Sequence, residues 1–432
     1  MIRYRESLQK VQLSLWKAID NRPEPDYSWA MVVVKKYGGT SLGTLERIEA
    51  VADRVVSDIV DKGEQPLLVA SAMSGETNRL IGLAHQVSPQ DRSPAYDMLL
   101  ASGEQVSIAL LAMALQKRGY KARPMLAFQL GIVTDALPSK ATIQSIRTEQ
   151  LKEMISDGII PVVAGFQGID PHGDITTLGR GGSDTTAVAL AAALGNEVCE
   201  IYTDVPAIFT ADPRLVPDAS PLKTVYFDEM MEMSCLGSKV LHSRSVELAS
   251  KFNVKIHLRS TFEAREGTWV IPEGEEMEKP VVTAVTHDAN TAVFKLFPTP
   301  DTPAFLAQLF GQLAQKGVVV DIITQSQNPQ GQRLAFSVHG DDIDLARSII
   351  QEVVDASTQI DLIGDMAKVS VVGVGMQNQF GVAARFFSAL ATQDIPIRLV
   401  TTSDIKISAV IEKANLEKAA QSLHDEFKLA GL

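Results

Sequence analysis

The sequence predicts an α/β chain in two parts: a mostly parallel sheet covered by helices on both faces, and after it a duplicated βαββα unit. Short apolar strands alternate with helical patterns between residues 31 and 260, which is typical of a parallel sheet built from βαβ units. Beyond the Glu-rich linker at residues 274–279, a strand–helix–strand–strand–helix order occurs twice, and residues 317–326 match residues 394–403. The repeat contains neither a phosphate-binding loop nor an acid–base cluster, so we interpret it as regulatory.

Composition and charge exclude several classes of function. Of the 432 residues, 45% are hydrophobic, which is enough for real cores, and the net charge of -12 argues against nucleic acid and against an anionic membrane surface as partners. No apolar run is long enough to suggest a membrane span. Cys199 and Cys235 lie in apolar contexts and indicate buried thiols in a reducing cytoplasm. The seven histidines never fall at metal-ligand spacing, so no metal-binding residues are assigned.

Residues 1–30 form an N-terminal extension of a different character. Charges are scattered up to Asp20, Pro23 and Pro25 follow, and the apolar core of a secretory signal is missing. An added surface helix, a disordered tail and a misplaced start codon all fit this pattern. We favour the misplaced start, because Met31 begins a natural domain.

The first predicted strand leads into a glycine loop. Residues 31–36 are β-rich and end in two lysines, Gly38 and Gly39 break the strand, and a helical pattern covers residues 45–60. The amides of both glycines can cradle phosphate oxygens, with Lys36 supplying the charge. The lysine precedes the glycines, so this is not the P-loop of nucleoside triphosphatases. An ordinary strand–helix turn is the alternative.

Polar residues follow the second strand and interrupt the next long helix. The strand at residues 66–70 is followed by small and hydroxylated residues that include Ser71 and Thr77. They lie at the edge where open α/β sheets bind ligands. These residues would also serve as caps of the next helix. The helix predicted over residues 96–116 contains Glu104 in an apolar run. If buried, Glu104 needs a basic partner or a substrate ammonium; exposure to solvent is the alternative.

The most glycine-rich stretch, residues 176–187, places three glycines around Arg180 directly before an apolar helix. Exposed N–H groups at a helix start favour anions, and arginine can hold a carboxylate or phosphate through two parallel hydrogen bonds. We predict an anion-handling loop that includes Ser183, with Arg180 also a candidate partner for Glu104. A plain glycine turn capped by Ser183 or Asp184 is the alternative.

Three further polar segments follow later strands. The strand expected over residues 198–202 leads to Thr203 and Asp204, and a turn-rich segment spans residues 209–214. Lys239 lies where another helix is expected to open, and its alternative is a solvated surface lysine.

A strand over residues 254–259 is expected to close the first domain, and the elements of the regulatory part follow from their hydrophobic periodicity. Its strands are predicted over residues 291–296, 318–324, 333–338, 367–372, 395–401 and 405–411, and its helices over residues 303–315, 342–354, 381–392 and 416–427.

Five motifs, in this order, closely resemble those of the aspartate kinases, which are amino-acid kinases. They are Lys36-Tyr-Gly-Gly-Thr-Ser, Ser71-Ala-Met, Gly165-Phe-Gln-Gly, Thr177-Leu-Gly-Arg-Gly-Gly-Ser-Asp-Thr and Thr210-Ala-Asp-Pro-Arg. The resemblance implies an amino-acid-kinase-like three-layer sandwich with a mostly parallel central sheet, followed by two ferredoxin-like (βαββαβ) ACT domains. The implied bounds are 31–278 for the catalytic domain, 279–366 for the first ACT unit and 367–432 for the second.

The resemblance also implies the reaction and its partners. ATP with Mg²⁺ would phosphorylate the side-chain carboxylate of L-aspartate to 4-phospho-L-aspartate, on the route to lysine, threonine, methionine and often diaminopimelate. Lysine and/or threonine would act as effectors, and a homo-oligomer, commonly a dimer, would form through the ACT domains.

The residue roles implied by the resemblance fall into four groups. The catalytic group is Lys36, Gly38, Gly39, Asp204 and Lys239. The aspartate ligands are Ser71, Thr77, Glu104, Arg180 and Ser183. The nucleotide ligands are Lys36, Tyr37, Gly38, Gly39, Thr203, Asp204, Phe209, Thr210, Ala211, Asp212, Pro213, Arg214, Lys239 and Val240. The effector ligands are Asp321, Gln325, Val382, Ala383, Pro396, Ile397, Ser403 and Asp404. Arg180 suits the α-carboxylate, Glu104 the ammonium, and Asp204 would orient the lysines or the metal.

Several positions depart from the family pattern. Pro206 and Ala207 stand where Asp-Gly is usual, which weakens the prediction of nucleotide affinity and choice. Val320 and Pro396 stand where asparagines are usual in the effector loops, and Phe380 where proline is common. Pro396 removes a backbone donor as well as an amide side chain, so we expect altered or relaxed feedback. A kinase for another small acid, such as glutamate, and an inactive amino-acid sensor are the alternative functions.

Overall fold

The computed structural model describes residues 32–89, 92–238, 240–274, 280–329 and 331–431. Three sequence interpretations concern residues outside these ranges: the N-terminal extension, the role of Lys239 and most of the linker at residues 274–279.

The first part of the chain alternates strands and helices, as its periodicity predicts. Its strands are β1 (Val32–Tyr37), β2 (Gln65–Ala70), β3 (Ala122–Met125), β4 (Val133–Thr134), β5 (Ile143–Ser145), β6 (Ile160–Ala164), β7 (Gln167–Ile169), β8 (Ile175–Thr177), β9 (Val198–Thr203), β10 (Thr224–Tyr226), β11 (Lys255–Ser260) and β12 (Thr268–Ile271). Its helices are α1 (Leu45–Lys62), α2 (Glu76–Val87), α3 (Pro94–Lys117), α4 (Ala127–Leu130), α5 (Glu149–Ser156), α6 (Gly182–Leu194), α7 (Phe227–Cys235) and α8 (Ser243–Phe252).

Eight of these strands form a central sheet in the order β10-β12-β11-β9-β1-β2-β6-β3. Neighbouring strands are parallel except for β11 and β12, so the predicted mostly parallel sheet is confirmed. Two local predictions were wrong. Strand β12 follows the strand that was expected to close the domain, and α8 begins at Ser243 rather than beside Lys239.

Helices cover both faces of this sheet. Val34 of β1 packs in one apolar cluster with α6, α7 and α8, and Leu68 of β2 packs in another with α1 and α3. Burial on both faces explains why the strands read as continuous apolar runs. The result is the expected three-layer sandwich. Because successive side chains of a strand alternate, the adjacent Lys35 and Lys36 face opposite layers.

A second, four-stranded sheet in the order β5-β4-β7-β8 lies beside the main one. The sequence did not predict it, because strands of two or three residues carry too little periodicity. Its strand β8 ends at Thr177, immediately before the glycine-rich loop, so this small sheet contributes to the placement of that loop.

The regulatory part is a single antiparallel sheet with helices. Its strands are β13 (Ala284–Thr299), β14 (Val320–Asn328), β15 (Gly331–His339), β16 (Gln359–Val372), β17 (Ile397–Ser403) and β18 (Lys406–Glu412). Its helices are α9 (Pro303–Gln315), α10 (Ile343–Val353), α11 (Val382–Thr392) and α12 (Leu416–Glu426). The strand order is β14-β15-β13-β16-β18-β17, in which β14, β15 and α9–α10 belong to the first unit and β17, β18 and α11–α12 to the second.

Two long strands, β13 and β16, run through both units. In β13, residues 291–299 pair with β15 of the first unit, whereas residues 284–288 pair with residues 368–372, which in turn pair with β18. The second unit therefore completes its βαββαβ order with a strand that precedes the first unit in sequence. The division at residue 366 stays a prediction, and the sheet is continuous across it.

One helix, α3, is long and apolar enough to cross a membrane by length and composition, which corrects the expectation from the sequence. Within the protein, 56% of its apolar window is buried, and it carries the buried carboxylates Asp97 and Glu104. Both observations fit a core helix packed between the sheet and its neighbours.

Candidate active site

The carboxyl ends of four parallel strands are level with one another. Tyr37 at the end of β1 pairs in register with Ala70 of β2 and with Tyr202 of β9, and Ala70 pairs with Ala164 of β6. The loops that follow these strands therefore start from one edge of the sheet, where open α/β folds bind their ligands. Most residues predicted to bind aspartate or nucleotide lie in or beside these loops.

Of the two adjacent lysines in β1, Lys35 is enclosed. Its side chain is fully buried on the α1 side, where the ammonium contacts the carboxylates of Asp58, Glu64 and Glu200. A buried ammonium needs such partners, and three carboxylates satisfy this one. Lys35 therefore stabilises the strand and is closed to a ligand.

Lys36 is the lysine that a ligand can reach. Its Nζ lies 2.5 Å from Oδ1 of Asp184 in the first turn of α6, and each of these side chains is 11% exposed. The resemblance implies an orienting role for Asp204, but Asp204 is exposed and its Oδ1 accepts a hydrogen bond from Thr203 Oγ1 over 3.1 Å. The carboxylate that orients Lys36 is Asp184, which the sequence showed only as a candidate helix cap.

The loop after β1 passes close to this ammonium and has no side chains at its two glycines. A Cβ on Gly38 would lie 3.4 Å from Lys36 Nζ, and a Cβ on Gly39 would lie 2.8 Å from Ala72 O. The Gly38 N–H donates to Tyr202 O over 3.2 Å, so this amide already has a partner. Of the two amides predicted to bind phosphate, that of Gly39 stays a candidate. A bare backbone with a lysine beside it fits a phosphate group.

Tyr37 does not offer its side chain to this loop. Its ring is fully buried and stacks on Tyr202 with ring centroids 4.7 Å apart. Burial raises the pKa of its phenol well above the ordinary value. The side chain of Tyr37 therefore serves the core and is closed to a nucleotide, and the predicted nucleotide role of this residue stays a prediction that only its backbone could meet.

Glu104 lies beneath the loop after β2 as a buried carboxylate. Its Oε1 accepts the N–H of Ala72 over 3.1 Å, and its Oε2 has no hydrogen-bond partner among the described residues. The side chain is 3% exposed, and burial raises its pKa to about 7. Solvent exposure and pairing with Arg180 were both wrong. A buried carboxylate with one free oxygen is suited to a substrate ammonium.

The glycine-rich loop presents Arg180 at the start of α6. Gly179 and Gly181 have left-handed φ values of 77° and 68°, and a Cβ on Gly181 would lie 2.2 Å from Cβ of His242. Glycine is therefore required for the turn and for the close approach. Arg180 is exposed, and within the described ranges it has no carboxylate partner. Its guanidinium is available to an anion at the N-terminus of α6.

The other predicted aspartate ligands are three residues with hydroxyl groups, Ser71, Thr77 and Ser183. Ser183 is 8% exposed in the first turn of α6, and a Cβ on Gly165 would lie 2.7 Å from its Oγ. Ser71 is half-buried and donates its N–H to Tyr37 O over 3.1 Å, and Thr77 is half-buried in the first turns of α2. These three hydroxyls lie on elements that border the loops described above.

Sequence reasoning missed Asp97 of α3, which anchors the segment before Arg180 by hydrogen bonds. Its carboxylate accepts the N–H groups of Ser139 and Thr177 over 2.9 and 2.7 Å and both hydroxyls over 3.0 Å. Ser139 has a left-handed φ of 63°, which costs a non-glycine residue roughly 1 kcal/mol or more. Four hydrogen bonds to one carboxylate hold this conformation. An acidic residue in the first turn of a helix is ordinary, so the sequence carried no signal for it.

The predicted nucleotide ligands divide into buried and exposed groups. Thr210 and Ala211 are buried and Phe209 is half-buried, whereas Pro213 is exposed. Arg214 is exposed and pairs with Asp212, its Nη2 lying 2.6 Å from Oδ2. Thr203 ends β9, and Val240 packs against the core of the first part.

The predicted effector residues are spread over both regulatory units. Asp321 of β14 pairs with the buried Lys368 of β16, and Gln325 of β14 is exposed. Val382 is buried in the core of the second unit and Ile397 packs against that core, so the side chain of Val382 is closed to an effector. Ala383, Pro396, Ser403 and Asp404 are exposed.

Two family models match the chain. The amino acid kinase family model matches residues 31–260, and an ACT domain model matches residues 369–427. Among curated relatives, an aspartate kinase of Pseudomonas putida is 44% identical over 402 residues, which are 92% of this chain and 98% of the relative. Aspartokinase 2 of Bacillus subtilis is 42% identical over 401 residues, with the same two shares covered.

Solved structures extend the likeness to the whole architecture. E. coli aspartokinase III in complex with aspartate and ADP has a TM-score of 0.77 at 27% identity, covering 91% of this chain and 99% of that one. The same enzyme in complex with lysine and aspartate has a TM-score of 0.75 at 27% identity, covering 92% and 99%.

Proposed function

The chain belongs to the aspartate kinases of the amino acid kinase family, and we propose that its two substrates meet between the glycine loop after β1 and the N-terminus of α6. It is a phosphotransferase that phosphorylates aspartate. The observation that supports this site is a set of three groups at one edge of the sheet: the ammonium of Lys36 near the end of β1, the carboxylate of Glu104 in α3 and the guanidinium of Arg180 in the loop before α6. Among the described residues, one oxygen of Glu104 has no hydrogen-bond partner and Arg180 has no carboxylate partner.

Each group matches one part of the substrates. The guanidinium of Arg180 holds the α-carboxylate of aspartate, and Glu104 holds its ammonium, while Ser71, Thr77 and Ser183 supply hydroxyls around it. Lys36 lies against the transferring phosphoryl group, with the Gly39 amide beside it. Thr203, Asp204 and residues 209–214 line the nucleotide, and E. coli aspartokinase III, which was solved with ADP, supports ATP as the donor.

The transfer itself needs no proton abstraction. An oxygen of the aspartate side-chain carboxylate attacks the γ-phosphorus, the bond to the β–γ bridging oxygen breaks, and that electron pair leaves with ADP. The obstacle is repulsion between two anions, so the protein contributes positioning and positive charge. Lys36, kept in place by Asp184, supplies that charge at the reacting phosphoryl group.

Mg²⁺ bound to the ATP phosphates would neutralise part of their charge. The described residues hold no cluster of His, Cys, Asp or Glu that could bind a metal ion by itself, which fits an ion that arrives with the nucleotide. Asp204, an exposed carboxylate at the end of β9, fits an outer contact with that ion.

The test of this site is an assay of ADP release with aspartate, together with hydroxylamine trapping of the acyl phosphate. We expect ADP and trapped product with aspartate and neither with glutamate, because an extra methylene would displace the carboxylate that attacks. Equal activity with glutamate would contradict the aspartate-specific placement of Arg180 and Glu104.

The ionisation of Glu104 should control aspartate binding. Its pKa is raised to about 7, so the carboxylate is charged above that pH and neutral below it. We expect the KM for aspartate to rise as the pH falls from 8 to 6, by up to about tenfold per unit below the pKa, because a neutral acid no longer attracts the substrate ammonium. Glu104→Gln should raise this KM by roughly tenfold or more and remove its dependence on pH.

Initial rates at saturating ATP, with aspartate varied at each pH, measure this effect. The KM for ATP serves as the internal control, since Glu104 lies under the aspartate loops. A glutamine variant that keeps the full pH dependence of the wild type would show that another group titrates.

We further propose that lysine is an effector of the regulatory part and that its inhibition is weak. A relative solved in complex with lysine and aspartate supports lysine as the ligand class. In this chain Val320 and Pro396 offer no amide side chain, and Asp321 is already paired with Lys368. An amine effector must therefore compete with an internal ammonium for that carboxylate.

Titration of activity with lysine, threonine and both together tests this proposal. We expect weak inhibition by the wild type and stronger inhibition by Pro396→Asn, which restores a backbone donor and an amide. Thr392→Asn, at an exposed position at the end of α11, is the control. Strong inhibition of the wild type would contradict relaxed feedback.

Two further assignments complete the proposal. A homodimer would form through the regulatory units, whose surface at β14 includes the exposed apolar residues Val319 and Ile323. The compartment would be the cytoplasm, where the buried Cys199 and the exposed Cys235 stay reduced; the expectation that both thiols are buried is wrong for Cys235.

A further inference from the structure

A buried histidine of the last regulatory helix contacts the segment proposed for nucleotide binding. His424 of α12 is fully buried, and its Nε2 lies 2.9 Å from Oγ1 of the equally buried Thr210. We propose that His424 is a positioning residue for ATP, which holds residues 209–214 in their binding conformation through the hydroxyl of Thr210. This inference rests on the proposed nucleotide role of that segment and deepens it.

Thr210 is held from both halves of the chain. Within the first part, its N–H donates to Ser220 O over 2.9 Å, and its Oγ1 accepts the N–H of Ser220 over 2.9 Å. From the regulatory part, the N–H of Val285 donates to Thr210 O over 2.7 Å, and the ring of His424 reaches the hydroxyl. Two of these four hydrogen bonds therefore come from residues of the regulatory part.

Apolar packing couples the same segment to α12. Ala211 and Val216 are 5% and 0% exposed, and they lie in one apolar cluster with Leu423 and Phe427 of the regulatory part. The N–H of Gly431, beyond the end of α12, donates to Ser220 Oγ over 2.7 Å. Close packing leaves little freedom for the segment to move without the helix.

The residues that precede Lys239 and Val240, two other predicted nucleotide ligands, also contact the regulatory part. Gly237 has a φ of 111°, and a Cβ there would lie 1.9 Å from His287 O in β13. In α7, Glu229 Oε1 accepts a hydrogen bond from Thr283 Oγ1 over 2.6 Å and another from the N–H of Val374 over 3.1 Å. The aspartate loop has separate support from Asp97, so loosening the regulatory contact should affect the nucleotide and spare the acceptor.

Three variants of the full-length enzyme separate the hydrogen bond from the packing. His424→Leu fills similar space without the bond, His424→Gln keeps a polar group at a similar reach, and Thr210→Val removes the hydroxyl from the other side. Glu417→Gln, at an exposed position of the same helix, is the matched control. Initial rates with ATP and aspartate varied separately give both KM values, and thermal unfolding reports stability.

We expect His424→Leu to raise the KM for ATP by roughly tenfold, the size of one hydrogen bond lost from a buried hydroxyl, and to leave the KM for aspartate unchanged. His424→Gln should recover most of the loss. Thr210→Val, which also loses the hydrogen bond from the N–H of Ser220, should raise the KM for ATP at least as much as His424→Leu, and the double variant should be no worse than Thr210→Val alone. Glu417→Gln should behave as the wild type.

An unchanged KM for ATP in His424→Leu overturns the inference, and so does an equal rise in both KM values. If the leucine variant does not fold, Thr210→Val decides, because it removes the bond to His424, together with the bond from the N–H of Ser220, without a substitution in the regulatory part. Calorimetric titration with MgATP distinguishes a failure of the proposed nucleotide site from a failure of the role of His424. A wild type that does not bind ATP overturns the nucleotide site, whereas equal binding by wild type and His424→Leu overturns only the role of His424.

Discussion

Lys36→Ala is expected to lower kcat by about 100-fold or more, the loss seen when one preorganised donor to the transition state is removed. The ammonium of Lys36 is accessible at the carboxyl end of β1, and the absence of a side chain at Gly38 keeps the space beside it open. In the proposed site it lies where negative charge accumulates during transfer, away from the α-carboxylate and ammonium of aspartate. The KM for aspartate should therefore change much less than kcat.

Steady-state kinetics of ADP release measure this loss, with Lys223→Ala, at an exposed position of the same domain, as the control. Removing Lys36 also leaves Asp184 without its partner, so thermal unfolding must accompany the assay. Lys36→Arg keeps the charge in a different geometry and should retain more activity than alanine. Near-normal turnover in Lys36→Ala would refute the catalytic role.

Asp184→Asn distinguishes an orienting carboxylate from a base. With no proton to abstract, its loss should reduce kcat only through the misplaced Lys36. In the double variant with Lys36→Ala, we therefore expect little additional loss beyond that of Lys36→Ala alone.

The order of elements in the catalytic part could be predicted from sequence, because both faces of the parallel sheet are covered and each strand is an apolar run. The helix predicted over residues 303–315 is confirmed at its bounds, with Thr302 as its N-cap and Pro303 at its first turn. The short strands β4, β5, β7 and β8 could not be predicted, since periodicity needs more residues than they have. Strand residues 284–288 precede the first regulatory unit in sequence but pair with the second unit, and local sequence patterns do not encode such a long-range pairing.

Residues of the candidate site could be identified from the sequence where glycine or an isolated charge signals unusual backbone or burial. Lys36, Arg180 and Glu104 stand out because each is a charge beside glycines or inside an apolar run. Asp184 and Asp97 look like helix-start carboxylates, and only the fold shows that one pairs with Lys36 and the other binds Ser139 and Thr177. The ion-pair or hydrogen-bond partner of such a residue lies on another element, so the spacing of residues in the sequence does not reveal it.

Arg180→Ala is expected to lower kcat/KM for aspartate by about 100-fold, the loss of a bidentate, charge-assisted contact with the α-carboxylate. The guanidinium has no internal carboxylate partner within the described ranges, so truncation leaves no buried charge unpaired and the fold should be unaffected. The KM for ATP should stay near the wild-type value. Arg180→Lys keeps the charge but loses the planar fork, and it should recover at most about a tenth of the lost efficiency.

Aspartate-dependent rates at saturating ATP measure this effect, and Arg123→Ala, at an exposed position of β3, is the control. A rise in the KM for ATP with an unchanged KM for aspartate would place Arg180 on the nucleotide and reverse the assignment of the two loops. The contrast with Lys36 is diagnostic, because binding energy used equally in ground and transition states appears in KM, and energy used only at the transition state appears in kcat. If aspartate is gripped by the loop before α6 and attacked beside β1, the two variants must fail in these different ways.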